Sequence, residues 1–178
     1  MVERHVSSGS SFTGEQEETF FRLLEIVRKD GGFLPSERTK RLFDSMFSMW
    51  APELVILKGL WRRRKILLTL YDGGAERFRG FWHIPGGYDR FIHPDFEATC
   101  QAISKRELGV GVSVGHIIHA HKWRPGEHPY GRPLSVFVEC SLRESDQKRL
   151  MKGRFFSIQE LPSQMVPVHR RFIEQFLM

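Results

Sequence analysis

The residues best suited to chemistry gather around a sharp break, Pro85-Gly86-Gly87, that follows the short apolar run Phe81-Trp82-His83-Ile84. Proline followed by two glycines ends a strand abruptly. The helical pattern that follows carries Glu97 at its start and Arg106-Glu107 at its end. At 100° per residue, Glu107 falls near the stripe of Phe96, Cys100 and Ile103, the face such a helix buries. A carboxylate on that face needs a partner. The partner is either a nearby arginine, or solvent at the helix end, or a cation. One carboxylate suffices for Mg²⁺ when water and substrate phosphates complete the octahedron. Glu97, at the positive end of the helix dipole, has a structural role open to it. Arg90, in the loop after the glycines, has the planar fork that binds phosphate, with a solvated loop arginine as the alternative.

A second group lies further along. His119 and His121 alternate on one strand face and His128 sits in the adjoining loop, a pattern that raises a zinc site. Histidines at strand edges more often satisfy polar contacts than ligate metal. Glu127 and His128, in a long polar loop between strands, are candidates for a general base, against the alternative of a plain exposed loop. Trp82, Trp123 and Tyr130 offer faces that could stack on a base, and Trp82 is assigned to the core beneath the glycine turn.

The elements that must position these groups follow from periodicity. Phe20, Leu23, Leu24 and Val27 have helical spacing and stop at Asp30-Gly31-Gly32. A second helix is predicted from Pro35-Ser36 through Leu42, Phe43, Met46, Phe47 and Trp50, ending by Ala51 because Pro52 disfavours helix before it. Leu54 to Leu57 and Ile66 to Tyr71 then read as a hairpin with the basic tip Arg62-Arg63-Arg64-Lys65. Phe81 to Ile84 is a short strand, 94 to 108 a helix closed by Gly109, and 115–123 and 134–140 two more strands. Arg154 to Ser157 is a last strand, and the C-terminal helix carries an apolar stripe of Phe172, Ile173, Phe176 and Leu177. Helices first, then strands with a helix inserted among them, suit a mixed sheet covered by helices. The divisions expected are a flexible N-terminus over 1–14, a helical extension over 15–51 and one α/β domain over 52–178.

The run Gly80 to Gly87, the helix with Glu97 and Ala98, and Arg106-Glu107-Leu108-Gly109-Val110 together resemble the Nudix hydrolase superfamily. Its signature is G-x5-E-x7-R-E-U-x-E-E-x-G-U, usually preceded by an aromatic-x-aliphatic-Pro-Gly-Gly strand. The resemblance in topology runs from Glu53 to Leu177, and it implies an α/β/α sandwich with a mixed sheet. With Gly109 on the last signature glycine, Ala102 and Ile103 stand where the family has Arg-Glu, and Arg106-Glu107 where it has Glu-Glu. The stretch from Gly87 to Gly109 is one residue longer than the family spacing. Positions 103, 106 and 107 share one helix face, where the family gathers carboxylates on divalent cations; here they are Ile, Arg and Glu. The ending Glu-Leu-Gly is similar to that of GDP-mannose mannosyl hydrolases within the superfamily.

The resemblance implies Mg²⁺-dependent (or Mn²⁺-dependent) hydrolysis of a nucleoside diphosphate linked to another group, such as a sugar. Glu107 and the backbone carbonyl of Gly87 would hold the metal, bound together with substrate. Arg90 and Arg106 would steady the diphosphate, and His128 or Glu127 would serve as base. The contrasting expectation, supported by Ile103 and Arg106, is a non-catalytic nucleotide-binding or regulatory module that has lost the metal cluster.

Composition bounds these readings. The 178 residues carry 27 Lys and Arg against 21 Asp and Glu, a formal charge of +6, with a pI near 9.6. That balance favours an anionic partner such as a nucleotide. The basic run at 62–65 lies between two apolar strands, where a solvated hairpin tip is the expectation rather than a nucleic-acid patch. The apolar runs fall far short of the roughly 18 residues that span a bilayer. The opening residues lack the apolar core of a secretory signal, and the two cysteines, Cys100 and Cys140, read as small core residues of a reducing compartment. A cytoplasmic protein is expected, with the helical extension as the candidate contact for a second copy.

Overall fold

The computed structural model describes residues 13–29, 49–60, 63–72, 76–88, 93–128 and 132–178. Helix α1 spans Gly14–Lys29. A six-stranded mixed sheet follows, with β1 Trp50–Lys58, β2 Lys65–Leu70, β3 Trp82–His83, β4 Ser113–Lys122, β5 Leu134–Ser141 and β6 Arg154–Ser157. Helix α2 is Phe96–Leu108, α3 the short Glu144–Gln147, and α4 Pro167–Phe176. The order across the sheet is β3-β2-β1-β5-β4, with β6 also paired to β2. β1 and β5 run parallel, from Trp50↔Leu134 to Ile56↔Cys140, and the other pairs are antiparallel.

The predicted hairpin is present, with Leu57 opposite Ile66 and Lys58 opposite Lys65. The second predicted helix falls mostly outside the described residues, and its last members, Trp50 and Ala51, are strand. Pro52 is the reason. It cannot donate to a ladder, but it sits comfortably in extended backbone and keeps the residue before it extended too.

The central strands are buried on both faces, so their sequences read as continuous apolar runs. Alternate residues nevertheless go to opposite sides. Leu54, Ile56, Leu67, Val138 and Cys140 pack with Cys100, Ile103 and Leu108 of α2. Val55, Ile66, Leu68 and Phe137 pack with Phe172, Ile173 and Leu177 at the C-terminal helix. The result is the expected sandwich, sheet between α2 and α4. Asp95 caps α2 by accepting from the Ala98 N–H at 2.7 Å. Gly109 ends the helix with φ 76°, a left-handed conformation that suits glycine. Of the apolar stripe on α4, Phe172, Ile173 and Leu177 are buried, while Phe176 is 48% exposed.

Candidate functional site

The glycine turn is clipped onto β1 by backbone. Leu54 N–H donates to Pro85 O at 2.7 Å and Gly87 N–H to Pro52 O at 3.3 Å, with Glu53 and Gly86 bridged between them. Gly86 lies so close to β1 that a Cβ there would enter the Glu53 carboxylate and stand 3.0 Å from Pro52 O. The turn therefore requires glycine for close approach.

Beneath the turn lies a polar network. The Ser135 hydroxyl donates to Glu53 Oε1 at 2.9 Å, and Trp123 Nε1 donates to the Ser135 oxygen at 2.9 Å. His169 Nε2 stands 3.7 Å from Glu53 Oε1, while its Nδ1 accepts from the Ile84 N–H at 3.1 Å. That bond fixes the neutral tautomer, with the proton on Nε2. Burial pushes the Glu53 carboxyl up to about 8; the Ser135 bond opposes this and the Glu107 charge adds to it. Burial also holds His169 well below its ordinary range, with the charges of His83, His128 and His121 acting the same way. His83 is pushed down to about 4, chiefly by burial, and shares a 3.2 Å hydrogen bond with Thr69.

Above the turn stands Arg106. Its Nη2 donates to Gly86 O at 3.1 Å and its Nε to Glu107 Oε1 at 2.8 Å. The same Nη2 occupies the place where a Cβ on Gly87 would lie. Glu107 thus has an arginine partner, one of the alternatives its position left open, and it is only 14% exposed. Gly86, the neighbour of the expected Gly87, is the residue whose carbonyl is engaged. This donor set does not fit a divalent cation as it stands. The guanidinium already takes Glu107 and the turn carbonyl, and Ile103, at 1% exposure, belongs to the core. Among the described residues no three His, Cys, Asp or Glu gather as a metal site, the His119/His121 strand included.

The two base candidates are drawn apart. Glu127 accepts from the Arg124 N–H at 2.8 Å and from Arg171 Nη2 at 2.9 Å, with His121 Nε2 at 3.5 Å. These partners, the Arg124 N–H foremost, hold its carboxyl below the usual range. A carboxylate so stabilised is a weak base. His128 has Nδ1 3.4 Å from the Tyr88 hydroxyl and its ring edge-on to Trp123 at 4.7 Å. Trp123, one of the rings that could have stacked on a base, is buried and bonded to Ser135. Trp82 packs edge-on to Phe156 at 4.6 Å, as a core residue. Glu97 lies in the first turn of α2, where the dipole favours it. Arg90, Arg62 and Tyr130 lie outside the described residues.

Sequence reasoning missed Glu53, His83, Ser135 and His169. Two of them left a signal. Glu53 is a carboxylate beside the apolar run 54–57, and His169 stands three and four residues before Phe172 and Ile173, on the face that α4 buries.

The sheet order, the helix placement and the Pro-Gly-Gly turn together define a Nudix-like α/β fold. Solved structures agree. The chain matches a NUDIX hydrolase from Nitrosomonas europaea over 72% of its own length and 87% of that chain, at 16% identity and TM-score 0.56. It matches NrtR from Shewanella oneidensis at 15% identity and TM-score 0.55, over 72% of its own length and 61% of that chain. The NUDIX domain of that NrtR, in complex with ADP ribose, matches at 15% identity and TM-score 0.53, over 72% of this chain and 86% of that one. The matched region thus spans less than two thirds of the longer NrtR chain. No protein-family model matches the sequence, and no curated protein matches it. Among the described residues, no helix is long and apolar enough to cross a membrane.

Proposed function

We infer that the glycine turn binds the diphosphate of a nucleoside diphosphate derivative, and that Arg106 supplies the positive charge a metal would otherwise bring. The observation that carries this reading is the guanidinium seated between Gly86 O and Glu107. A guanidinium has five N–H donors. Glu107 and Gly86 take two, and the remainder are available to phosphate oxygens in the paired geometry that arginine favours. Arg90, in the loop after the glycines, is the second arginine assigned to the diphosphate. The likeness to a NUDIX domain solved with ADP ribose supports a ligand of this class. On this reading the chain is a nucleotide-binding module rather than a metal-dependent hydrolase.

The test compares two measurements on the same set of nucleoside diphosphate sugars and ADP-ribose. Calorimetry in EDTA should show binding that Arg106→Ala weakens about tenfold or more, the loss of roughly one charge-assisted hydrogen-bond pair. Product analysis with Mg²⁺ or Mn²⁺ should show no turnover. Turnover that requires metal and fails in Glu107→Gln would instead assign Glu107 as a metal ligand, displaced from Arg106 when substrate arrives. In that event His128, whose Nδ1 lies 3.4 Å from the hydroxyl of Tyr88, the residue after the glycines, is the stronger base candidate of the two.

A further inference from the structure

A second concavity lies away from the glycine turn, between β4 and α4. Its volume is about 320 Å³, and His119, His121, Arg124, Arg171 and Phe176 are among the residues that line it. Among the described residues β4 is the end strand of the sheet, next to β5, and it supplies His119 and His121 to this cleft.

One side of the cleft is a row of rings. Phe137 and Phe172 stack at 3.9 Å with 9° between their planes, and Phe172 and Phe176 at 5.5 Å with 27°. His119 lies on Phe176 at 4.3 Å and 29°. Phe137 and Phe172 belong to the core, whereas Phe176 is 48% exposed. The row therefore starts in the interior and ends at the cleft, leaving a large aromatic surface in contact with water.

The other side is cationic. Arg171 is held in place by its 2.9 Å bond to Glu127. The side chain of Arg124 forms no hydrogen bond or ion pair with the described residues, although its backbone N–H donates to that same carboxylate. Buried His121 Nε2 has its nearest carboxylate oxygen at 3.5 Å, a poor hydrogen-bond distance. Two guanidiniums against one carboxylate leave the cleft positive whatever the histidines carry. Its volume sits at the lower end of the roughly 300 to 1,000 Å³ typical of small-molecule sites, and an apolar wall with a few placed polar groups is the usual make-up of such sites.

We propose that this cleft is a ligand site for a small planar aromatic ring system carrying one anionic group, attached directly or through a sugar, with the ring along His119 and Phe176 and the anion at Arg124 and Arg171. Aromatic carboxylates and nucleoside monophosphates share that chemistry. None of the lining residues belongs to the glycine turn, so the site stands independently of the diphosphate reading.

The test uses the full chain and four probes: AMP, benzoate, adenosine and inorganic phosphate. Binding is followed by calorimetry and by the aromatic and imidazole NMR signals of Phe176 and His119. AMP, benzoate or both should bind with a Kd of about 1 mM or tighter and shift those signals. Preference between the two tells which anion the arginines favour. Adenosine and phosphate, each lacking half of the recognised chemistry, should bind at least about tenfold more weakly than the better probe. Arg124→Gln and Phe176→Ala alter exposed side chains and should each weaken the binding read at the His119 signal about tenfold, while Arg149→Gln, at an exposed arginine outside the cleft, should leave it unchanged. The proposal is overturned if neither AMP nor benzoate binds at that level. It is equally overturned if adenosine or phosphate alone matches the better probe, or if Arg149→Gln weakens that binding as much as Arg124→Gln does.

Discussion

Glu53 should make the protein lose stability as pH rises from 6.5 to 8, and Glu53→Gln should remove that loss. The carboxyl titrates near 8 in the folded protein and near 4.5 in the unfolded chain, because folding buries it, against the opposing Ser135 bond and with the added effect of Glu107. A folded value raised in this way gives stability that is complete below the unfolded value and is lost as pH climbs through the folded one. The other shifted groups act mainly elsewhere. His83, at about 4 when folded, and His169, also depressed, destabilise around and below their ordinary 6.5, and the last part of that loss, about 0.8 kcal/mol for the two together, is regained as pH rises from 6.5 to 8. The buried thiols, pushed up to about 11 at Cys100 and about 12 at Cys140, act above their ordinary 9.0. Asp72 and Glu127, held low, act below the ordinary carboxylate range.

Between pH 6.5 and 8 the fall in stability therefore belongs to Glu53, with the histidines opposing it in the lower part of the window. At about 1.4 kcal/mol per pH unit, falling off near pH 8, Glu53 loses about 1.7 kcal/mol over that window and the histidines return about 0.8, so the wild type should fall by about 1 kcal/mol, or roughly 2 to 4 °C in Tm for a chain of this size. Glutamine keeps the shape and an acceptor for the Ser135 hydroxyl but does not titrate. Urea denaturation at pH 6.5 and 8.0, on wild type and variant side by side, reads the difference directly. A wild type whose stability is flat across the window, or a variant that falls as steeply, would refute the assignment of a protonated buried Glu53.

Gly86→Ala drives its Cβ into the Glu53 carboxyl and against Pro52 O, and should destabilise by roughly 2 to 4 kcal/mol in denaturant titrations. Gly87→Ala meets only the mobile end of Arg106, so it should leave Tm nearly unchanged while weakening diphosphate binding in calorimetry. His169→Ala strands the Ile84 N–H in the core and opens a cavity, a combined loss of about 3 kcal/mol by the same titrations. Cys100 and Cys140 are buried and unpaired, so mass spectrometry should find both resistant to iodoacetamide at pH 8 until the chain is unfolded.

The architecture was legible because period and punctuation agreed. The apolar strand runs, the helix predicted over 94 to 108 and closed by Gly109, and the terminal helix stripe each place an element where the structure has one. The N-terminal boundary was not legible, since Trp50 and Ala51 carry apolar character that fits a helix face as well as a strand. Partners across the sheet were legible least. Ser135 reads as a small polar residue inside a strand, and nothing local to it says that β1 lies parallel alongside and brings Glu53 within 2.9 Å. The Arg106 contacts were half legible. Helix geometry placed Glu107 on a partly buried face and demanded a partner, but adjacent residues on a helix do not ordinarily face each other. The pairing depends on a long side chain bending back at the helix end toward the glycine turn.

The groups around that turn are organised to keep charge out of the interior, and this bears on which cation the turn can accept. Glu53 retains its proton near neutrality, His83 and His169 are without theirs, and the charge on Glu107 is matched by Arg106. A divalent ion at the same place would find one ionised carboxylate and would have to expel a guanidinium that repels it. Supplying a further carboxylate from position 103 would place a charge among Leu54, Ile56, Leu67 and Val138, in the core between α2 and the sheet. Desolvating an ion there costs several kcal/mol. A guanidinium satisfies the same two acceptors with a single positive charge and with N–H groups to spare, and it requires no change in the buried face of α2. Isoleucine at 103 and arginine at 106 are therefore one structural solution: the core keeps an apolar residue, the turn keeps a cation, and on the proposed reading the anion that completes the site would come from the ligand.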